Sequence, residues 1–152
     1  MEIKTVTEKV ISGISIRTNN ANEMNPETAS IAGLYQDFDN NIAVDYENGA
    51  RVYGVYYDYE SDASGDFSVL AGADRIKSSI IELEQVTIQP GNYLLFKGEA
   101  EEQGEMPQAV IATWMKVWNY FSNADCAHQR AYKTDFEHYI SATNVHIYIG
   151  IS

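Results

Sequence analysis

The sequence is poor in cysteine, in basic residues and in long apolar runs. Its single cysteine, Cys126, excludes an internal disulfide framework. No apolar run approaches the roughly 20 residues that a membrane-spanning helix needs. The first ten residues, MEIKTVTEKV, lack the apolar core of a signal peptide. We therefore expect a cytoplasmic protein with no membrane partner.

Basic residues are outnumbered by acidic ones, with 10 Lys and Arg against 22 Asp and Glu and a formal net charge of −12. A negative charge of this size opposes binding to nucleic-acid backbones and to anionic membranes. Direct DNA binding is therefore not expected. The same charge suits cationic partners, although acidity also serves simply to keep a protein in solution.

The usual motifs of catalysis and metal binding are missing. The stretch DYESDASGD spaces acidic residues like a calcium loop but lacks the closing glutamate, so a polar hairpin is predicted instead. The three histidines have no metal-ligand spacing, and Cys126 near His128 indicates a loop and not a nucleophile pair. Phosphate-binding glycine loops and nucleophile elbows are also missing. We expect no cofactor, no metal and no catalytic residue.

The 152 residues, of which 45% are hydrophobic, fit one domain spanning 1–152, and its first half has a recognisable order. Residues 2–18 are predicted to form a strand interrupted at Gly13. A helix is predicted to follow, with Asn25 as its N-cap and Pro26 at its first position. The segments 51–60 and 66–76 then form a predicted hairpin around a polar turn. Residues 77–86 are expected to be a connector.

The second half repeats this order. Residues 86–100 are predicted as a strand with an interior glycine, Gly91. The segment 106–121 is the clearest helix, and two strands, AYKTDFEHYI and NVHIYIGI, close the chain. The triplet Asp58-Tyr59-Glu60 also matches Asp135-Phe136-Glu137. The helix is expected to present one apolar side, formed by Trp114, Met115, Trp118 and Phe121.

Two units of about 2–76 and 86–151 therefore predict an α+β fold made of a tandem βαββ repeat with pseudo-twofold symmetry. Such units pair into one antiparallel sheet with two main helices on one face. This arrangement leaves a ligand groove between the helices.

Three segments carry a resemblance to a known family, namely RVYGVYYDYESDASGDFSVLAGADRI, PQAVIATWMKVWNYF and YKTDFEHYISATNVHIYIGI. Together they resemble the GyrI-like small-molecule-binding domain, which is the effector-binding domain of AraC-type and MerR-type multidrug-responsive activators. The resemblance covers essentially the whole chain. It is greatest to stand-alone members, including an integron-cassette protein that binds cationic drugs. The full-length regulators have a helix-turn-helix region that this chain lacks.

The resemblance implies non-catalytic binding of small organic cations in a cavity between the repeats, where the family's cation-binding carboxylate matches Glu137. A carboxylate among aromatic rings supplies the charge, the cation–π attraction and the apolar contact that such ligands need. Because Asp135 shares the strand face of Glu137, repulsion between them is expected to raise one of the two pKa values. Six aromatic residues are the candidates to line the pocket: Trp118, Tyr35, Tyr56, Tyr139, Trp114 and Phe96.

Other interpretations of the same residues remain open. Glu137 alone would suit a solvated or salt-bridged strand position, and Trp114 and Trp118 would suit a core. The chain could act as a stand-alone transcription effector or drug-sequestering module. One alternative is a protein-interaction modulator with transcription machinery or DNA gyrase as partner, such as a gyrase inhibitor. Another is a small-molecule hydrolase with Glu137 as general base, although no nucleophile or oxyanion donor accompanies it.

Overall fold

The structure is a computed structural model that describes residues 2–152. Within this range the chain forms ten strands and three α-helices, with short 3₁₀ turns at Tyr46–Asn48 and Gln103–Glu105. The helices are α1 (Asn20–Met24), α2 (Ile31–Asn41) and α3 (Met106–Ser122). The strands are β1 (Glu2–Val6), β2 (Lys9–Thr18), β3 (Ile42–Val44), β4 (Val52–Tyr57), β5 (Phe67–Ala73), β6 (Ile76–Ser79), β7 (Glu84–Ile88), β8 (Gly91–Glu99), β9 (Arg130–Tyr139) and β10 (Asn144–Ile151).

Eight strands form one antiparallel sheet in the order β1-β8-β10-β9-β4-β5-β2-β7, and β3 pairs with β6 separately. Exchanging β1 with β7, β2 with β8, β4 with β9 and β5 with β10 gives the same order read from the opposite edge of the sheet. This exchange swaps the two halves of the chain, so the predicted pseudo-twofold arrangement is confirmed. The central pair is β4 with β9, which joins one half to the other.

Both long helices pack on the same face of the sheet. Leu34 and Phe38 of α2 share one apolar cluster with Trp114 and Val117 of α3. Such spacing at positions i, i+3 and i+4 buries one stripe of a helix. The opposite face of the sheet carries a second cluster that only strand residues form. The predicted α+β fold with its helices on one face is confirmed. Separately, no helix of residues 2–152 is long and apolar enough to cross a membrane.

The predicted strand over 2–18 is two strands, and the break lies at Thr7–Glu8 and not at Gly13. The break lets β1 pair with β8 while β2 pairs with β5 and β7, so the N-terminal segment joins both halves. Gly13 lies inside β2, where a Cβ would come within 2.0 Å of the Ala71 carbonyl oxygen. The absence of a side chain at Gly13 thus permits a close approach of two backbones, and this residue does not end a strand.

The first predicted helix begins later than Asn25 and Pro26. Asn25 is instead the C-cap of α1, and its side-chain oxygen accepts a hydrogen bond from the Glu27 amide at 3.0 Å. Asparagine caps and turns compete for the same backbone donors, and here the turn prevails. Helix α2 starts at Ile31, and the Glu23 carboxylate accepts hydrogen bonds from the Ser30 and Ile31 amides.

Two further segments differ from their prediction, namely the connector over 77–86 and the single strand over 86–100. The first contains most of β6 and the start of β7, and the second divides at Gln89–Pro90 into β7 and β8. Gly91 therefore begins a strand, where its φ of 148° suits glycine. In α3, Met115 is 54% exposed and does not share the buried side of Trp114.

Candidate functional site

Glu137 lies near the centre of the sheet, on the face that carries the helices. In the register of the sheet it is opposite Gly54 of β4 on one side and Ile147 of β10 on the other. Directly paired residues of antiparallel strands point to the same face, so this row faces α2 and α3. Glu137 is only 1% exposed, which places an ionisable side chain inside the main apolar cluster. Such a group needs hydrogen-bond partners.

Four neutral donors supply those partners. The hydroxyls of Tyr35 and Tyr139 each donate to Oε1 at 2.9 Å. The Tyr56 hydroxyl donates to Oε2 at 2.9 Å, and the Trp114 indole N–H donates to the same oxygen at 2.7 Å. The donors come from α2, α3, β4 and β9, so the carboxylate joins both halves of the fold. Both oxygens are thereby satisfied without a basic residue.

The three tyrosines are held in their protonated form. Burial raises the pKa of Tyr35, Tyr56 and Tyr139 well above the ordinary value, and the negative charge of Glu137 is the next cause for each. A neutral phenol donates its proton to the carboxylate, whereas a phenolate beside it would repel it. The hydroxyls therefore remain donors throughout the neutral pH range.

Asp135, two residues earlier on β9, is fully buried but has a different set of partners. Its Oδ2 is 2.7 Å from a guanidinium nitrogen of Arg130 and accepts a hydrogen bond from the Tyr59 hydroxyl. Its Oδ1 accepts from the Gly150 amide at 2.8 Å. Asp135 and Glu137 thus belong to separate networks, and the Arg130 charge compensates Asp135. The expected repulsive acidic pair is not what the structure contains.

The repeat match between Asp58-Tyr59-Glu60 and Asp135-Phe136-Glu137 was wrong in its detail. Strand β4 ends at Tyr57, and Asp58 has a φ of 52°, so the alternation of faces stops there. Glu60 is exposed near the turn, whereas Tyr59 reaches inward to Asp135.

The structure brings four of the six predicted aromatic residues to Glu137 and leaves two apart from it. Phe96 is buried in the same row of the sheet, beyond Ile147, and packs against Tyr120 and Phe121. Trp118 packs against Trp114 with ring centroids 6.2 Å apart. It lines an open cavity of about 350 Å³ together with Met24, Ala63, Phe121, Arg130 and Tyr132.

Two residues of the site were not singled out from the sequence, namely Gly54 and Arg130. A Cβ at position 54 would lie 2.1 Å from the Tyr35 hydroxyl and 2.6 Å from Oε1 of Glu137. The usable signal was a glycine inside an otherwise β-branched and aromatic strand, which indicates close approach of another group. Arg130 carried no comparable signal. Among residues 2–152, no His, Cys, Asp and Glu side chains group together as a metal site.

Comparison with known proteins agrees with this fold. The model of the integron-associated effector binding protein family matches residues 2–151. An integron cassette protein from the mobile metagenome of Vibrio cholerae is 39% identical, with a TM-score of 0.86 over 99% of this chain and 95% of that one. YobU of Bacillus subtilis strain 168, named as a candidate transcriptional regulator, is 25% identical over 94% of this chain and 92% of its own.

A more distant solved structure, SAV2435 bound to tetraphenylphosphonium, has 18% identity and a TM-score of 0.65 over 99% of this chain and 93% of that one. At that identity the likeness concerns the fold alone. The family match spans nearly the entire sequence, and the Vibrio cholerae structure extends over the same range. The chain belongs to the integron-associated effector binding protein family, whose members are effector-binding proteins related to the GyrI-like domains.

Proposed function

We propose that this protein binds amphipathic or aromatic organic cations, without catalysis, at the Glu137 carboxylate. One observation carries the proposal. Glu137 is buried, yet its partners are four neutral donors, and no basic side chain of residues 2–152 pairs with it. Its neighbour Asp135 has the opposite arrangement, because Arg130 already neutralises it. The negative charge available for a ligand is therefore that of Glu137.

The energetics favour an organic cation over other ligands. A buried charge with only neutral donors retains part of its desolvation cost, and a cation removes that cost by direct attraction. The surrounding tyrosine and tryptophan rings add cation–π attraction of about 2 kcal/mol where water is excluded. The rings also bury the apolar body of the ligand. Charge is thus selected strictly, while the shape of the ligand is selected loosely.

Access to the carboxylate lies on the side of Tyr35 and Tyr139. These two side chains are partly exposed, whereas Tyr56 and Trp114 are buried beneath the carboxylate. A cation approaching Oε1 replaces one or both of the outer hydroxyl donors, and Oε2 keeps its hydrogen bonds to the inner pair. The inner donors then hold the carboxylate in position for the ligand. If a partner protein recognises the ligand-bound form, the chain acts as an effector module. If no partner does so, binding alone sequesters the ligand.

Calorimetric titration with tetraphenylphosphonium and tetraphenylborate tests this proposal, because the two ions share a shape and differ in sign. We expect micromolar binding of the cation, about −8 kcal/mol, and much weaker binding of the anion. Glu137→Gln keeps the volume and removes the charge, so cation affinity falls by about ten- to a hundredfold. Glu60→Gln removes the same charge from an exposed position and serves as the matched control. Equal affinity for the two ions, or unchanged affinity in Glu137→Gln, would refute the proposal.

A further inference from the structure

A second concave feature lies away from the Glu137 carboxylate, at the junction of α1, the C-terminal end of α3 and the start of β9. This cavity of about 350 Å³ is at the lower end of the range for small-molecule sites. Its apolar walls are Met24, Trp118, Phe121 and Tyr132, and Arg130 is its charged residue. Glu137 and the tyrosines that bind it do not line this cavity.

Arg130 has a donor with no partner. Its side chain is 6% exposed, and one guanidinium nitrogen binds the Asp135 carboxylate at 2.7 Å. Its Nε–H is buried and, among residues 2–152, is without a hydrogen-bond acceptor. The guanidinium lies over the Tyr132 ring, 4.5 Å from its centroid, and 5.7 Å from the centroid of Tyr59. A buried N–H without an acceptor is costly, so an acceptor that reaches it is bound favourably.

The charges around the cavity restrict the class of ligand. The ion pair with Asp135 already balances the Arg130 charge, so a full anion would place a second negative charge beside a neutralised pair. A neutral carbonyl oxygen accepts the same hydrogen bond without that cost. The aromatic walls and the flexible Met24 side chain, which is 78% exposed, favour ligands with aromatic rings in varied arrangements.

We infer that this cavity is a second binding site, separate from the Glu137 carboxylate, for neutral aromatic molecules that carry a carbonyl group, with Arg130 as the recognising residue. Trp118 and Phe121 of α3 contact the rings, and the carbonyl oxygen accepts from Arg130. Because Asp135 holds the guanidinium in place, the donor is positioned before the ligand arrives.

Benzophenone and diphenylmethane test the inference, because they share two phenyl rings and differ in the carbonyl oxygen. Protein-observed NMR titration follows the Trp118 indole N–H and the Met24 methyl group, which locates each ligand. We expect benzophenone to shift both signals and to bind about tenfold more tightly than diphenylmethane, as one hydrogen bond to a charged donor predicts. Equal affinities, or shifts confined to the tyrosines around Glu137, would overturn it.

Variants separate this site from the one proposed at Glu137. Arg130→Lys keeps a positive charge for Asp135 but removes the Nε–H, so benzophenone is expected to lose about tenfold in affinity while diphenylmethane is unaffected. Ser122→Trp, at an exposed position on the cavity rim, fills the cavity and abolishes binding of both ligands without altering Arg130. Glu137→Gln leaves benzophenone binding unchanged. Loss of benzophenone binding in Glu137→Gln, or full binding in Ser122→Trp, would contradict the assignment. These two variants test the assignment even if Arg130→Lys does not fold.

Discussion

Gly54 lies directly opposite Glu137 in the pairing of β4 with β9, and the carboxylate occupies the space that a Cβ at position 54 would take. A side chain there would lie 2.6 Å from Oε1 of Glu137 and 2.1 Å from the Tyr35 hydroxyl. Both distances are shorter than real Cβ contacts allow. The absence of a side chain at Gly54 of β4 therefore leaves the space that the Glu137 carboxylate of β9 occupies.

Gly54→Ala is expected to lower the free energy of unfolding by about 1–3 kcal/mol, because an added methyl group in a packed core forces its neighbours to move. It is also expected to weaken tetraphenylphosphonium binding, since the added methyl group displaces Oε1 of Glu137, the oxygen at which the cation binds. Gly33→Ala is the matched control, because Gly33 is an exposed residue of α2 with nothing within 4 Å of its added Cβ. That control should gain up to about 1 kcal/mol from helix propensity. Urea denaturation of both variants measures the difference, and similar changes in the two would contradict the steric account.

Asp135→Asn and Glu137→Gln are expected to differ strongly in stability, although each removes one buried carboxylate from β9. Asp135→Asn leaves the Arg130 charge buried without its counter-ion, which costs about 3–5 kcal/mol. Glu137→Gln leaves no buried charge, and its oxygen and amide can pair with the hydroxyls and the indole, so the loss is at most about 2 kcal/mol. Urea denaturation midpoints of the two variants test this. A larger loss for Glu137→Gln would show that the carboxylate is structural.

Periodicity along the chain predicted which face some of the site residues occupy. Helical spacing assigned Trp114 to the apolar side of its helix, and strand alternation assigned Asp135 to the face of Glu137. Contacts between elements do not follow from such patterns, because the four donors come from four different elements. The doubled order of strands and helices predicted the sheet because each half contributes four strands to it and one long helix beside it, which a twofold exchange requires.

Arg130 shows why part of the site could not be predicted. It pairs with Asp135, five residues further along the same strand, and an odd separation puts two side chains on opposite faces of a regular strand. Tyr132 between them has a φ of 52°, which interrupts the alternation and brings the two groups together. No turn residue such as glycine or proline marks that irregularity in the sequence. The prediction of Asn25 as a helix N-cap was wrong for a related reason, since asparagine is favoured both in turns and at helix caps.

Glu23→Gln is expected to destabilise the start of α2. The Glu23 carboxylate accepts hydrogen bonds from the Ser30 and Ile31 amides at 3.0–3.1 Å and from the Thr18 hydroxyl at 2.6 Å. Because Ser30 makes no cap bond of its own, the loss of this charge should cost about 0.5–2 kcal/mol. Glu27→Gln removes a nearby exposed charge and should have little effect. Amide hydrogen exchange of α2 measures the change, and equal protection in both variants would refute the capping role.

The last prediction concerns His138, which stacks on Tyr53 with ring centroids 4.5 Å apart. The pKa of His138 is lowered to about 4, mainly by burial and next by the positive charge of Lys9, with smaller effects from His146, Asp74 and Arg51. The folded state therefore keeps a neutral imidazole, whereas the unfolded chain binds a proton below about pH 6.5. This contribution to stability is complete above that pH and is lost as the pH falls toward about 4.

His138→Phe keeps an aromatic ring on Tyr53 and removes the titrating group. The wild-type protein should lose stability relative to this variant as the pH falls from about 6.5 to about 4, while their difference stays constant above that range. Urea denaturation of both proteins across the range measures this difference, and other titrating groups cancel because the two proteins share them. Parallel stability curves would show that His138 is not the group that senses acid.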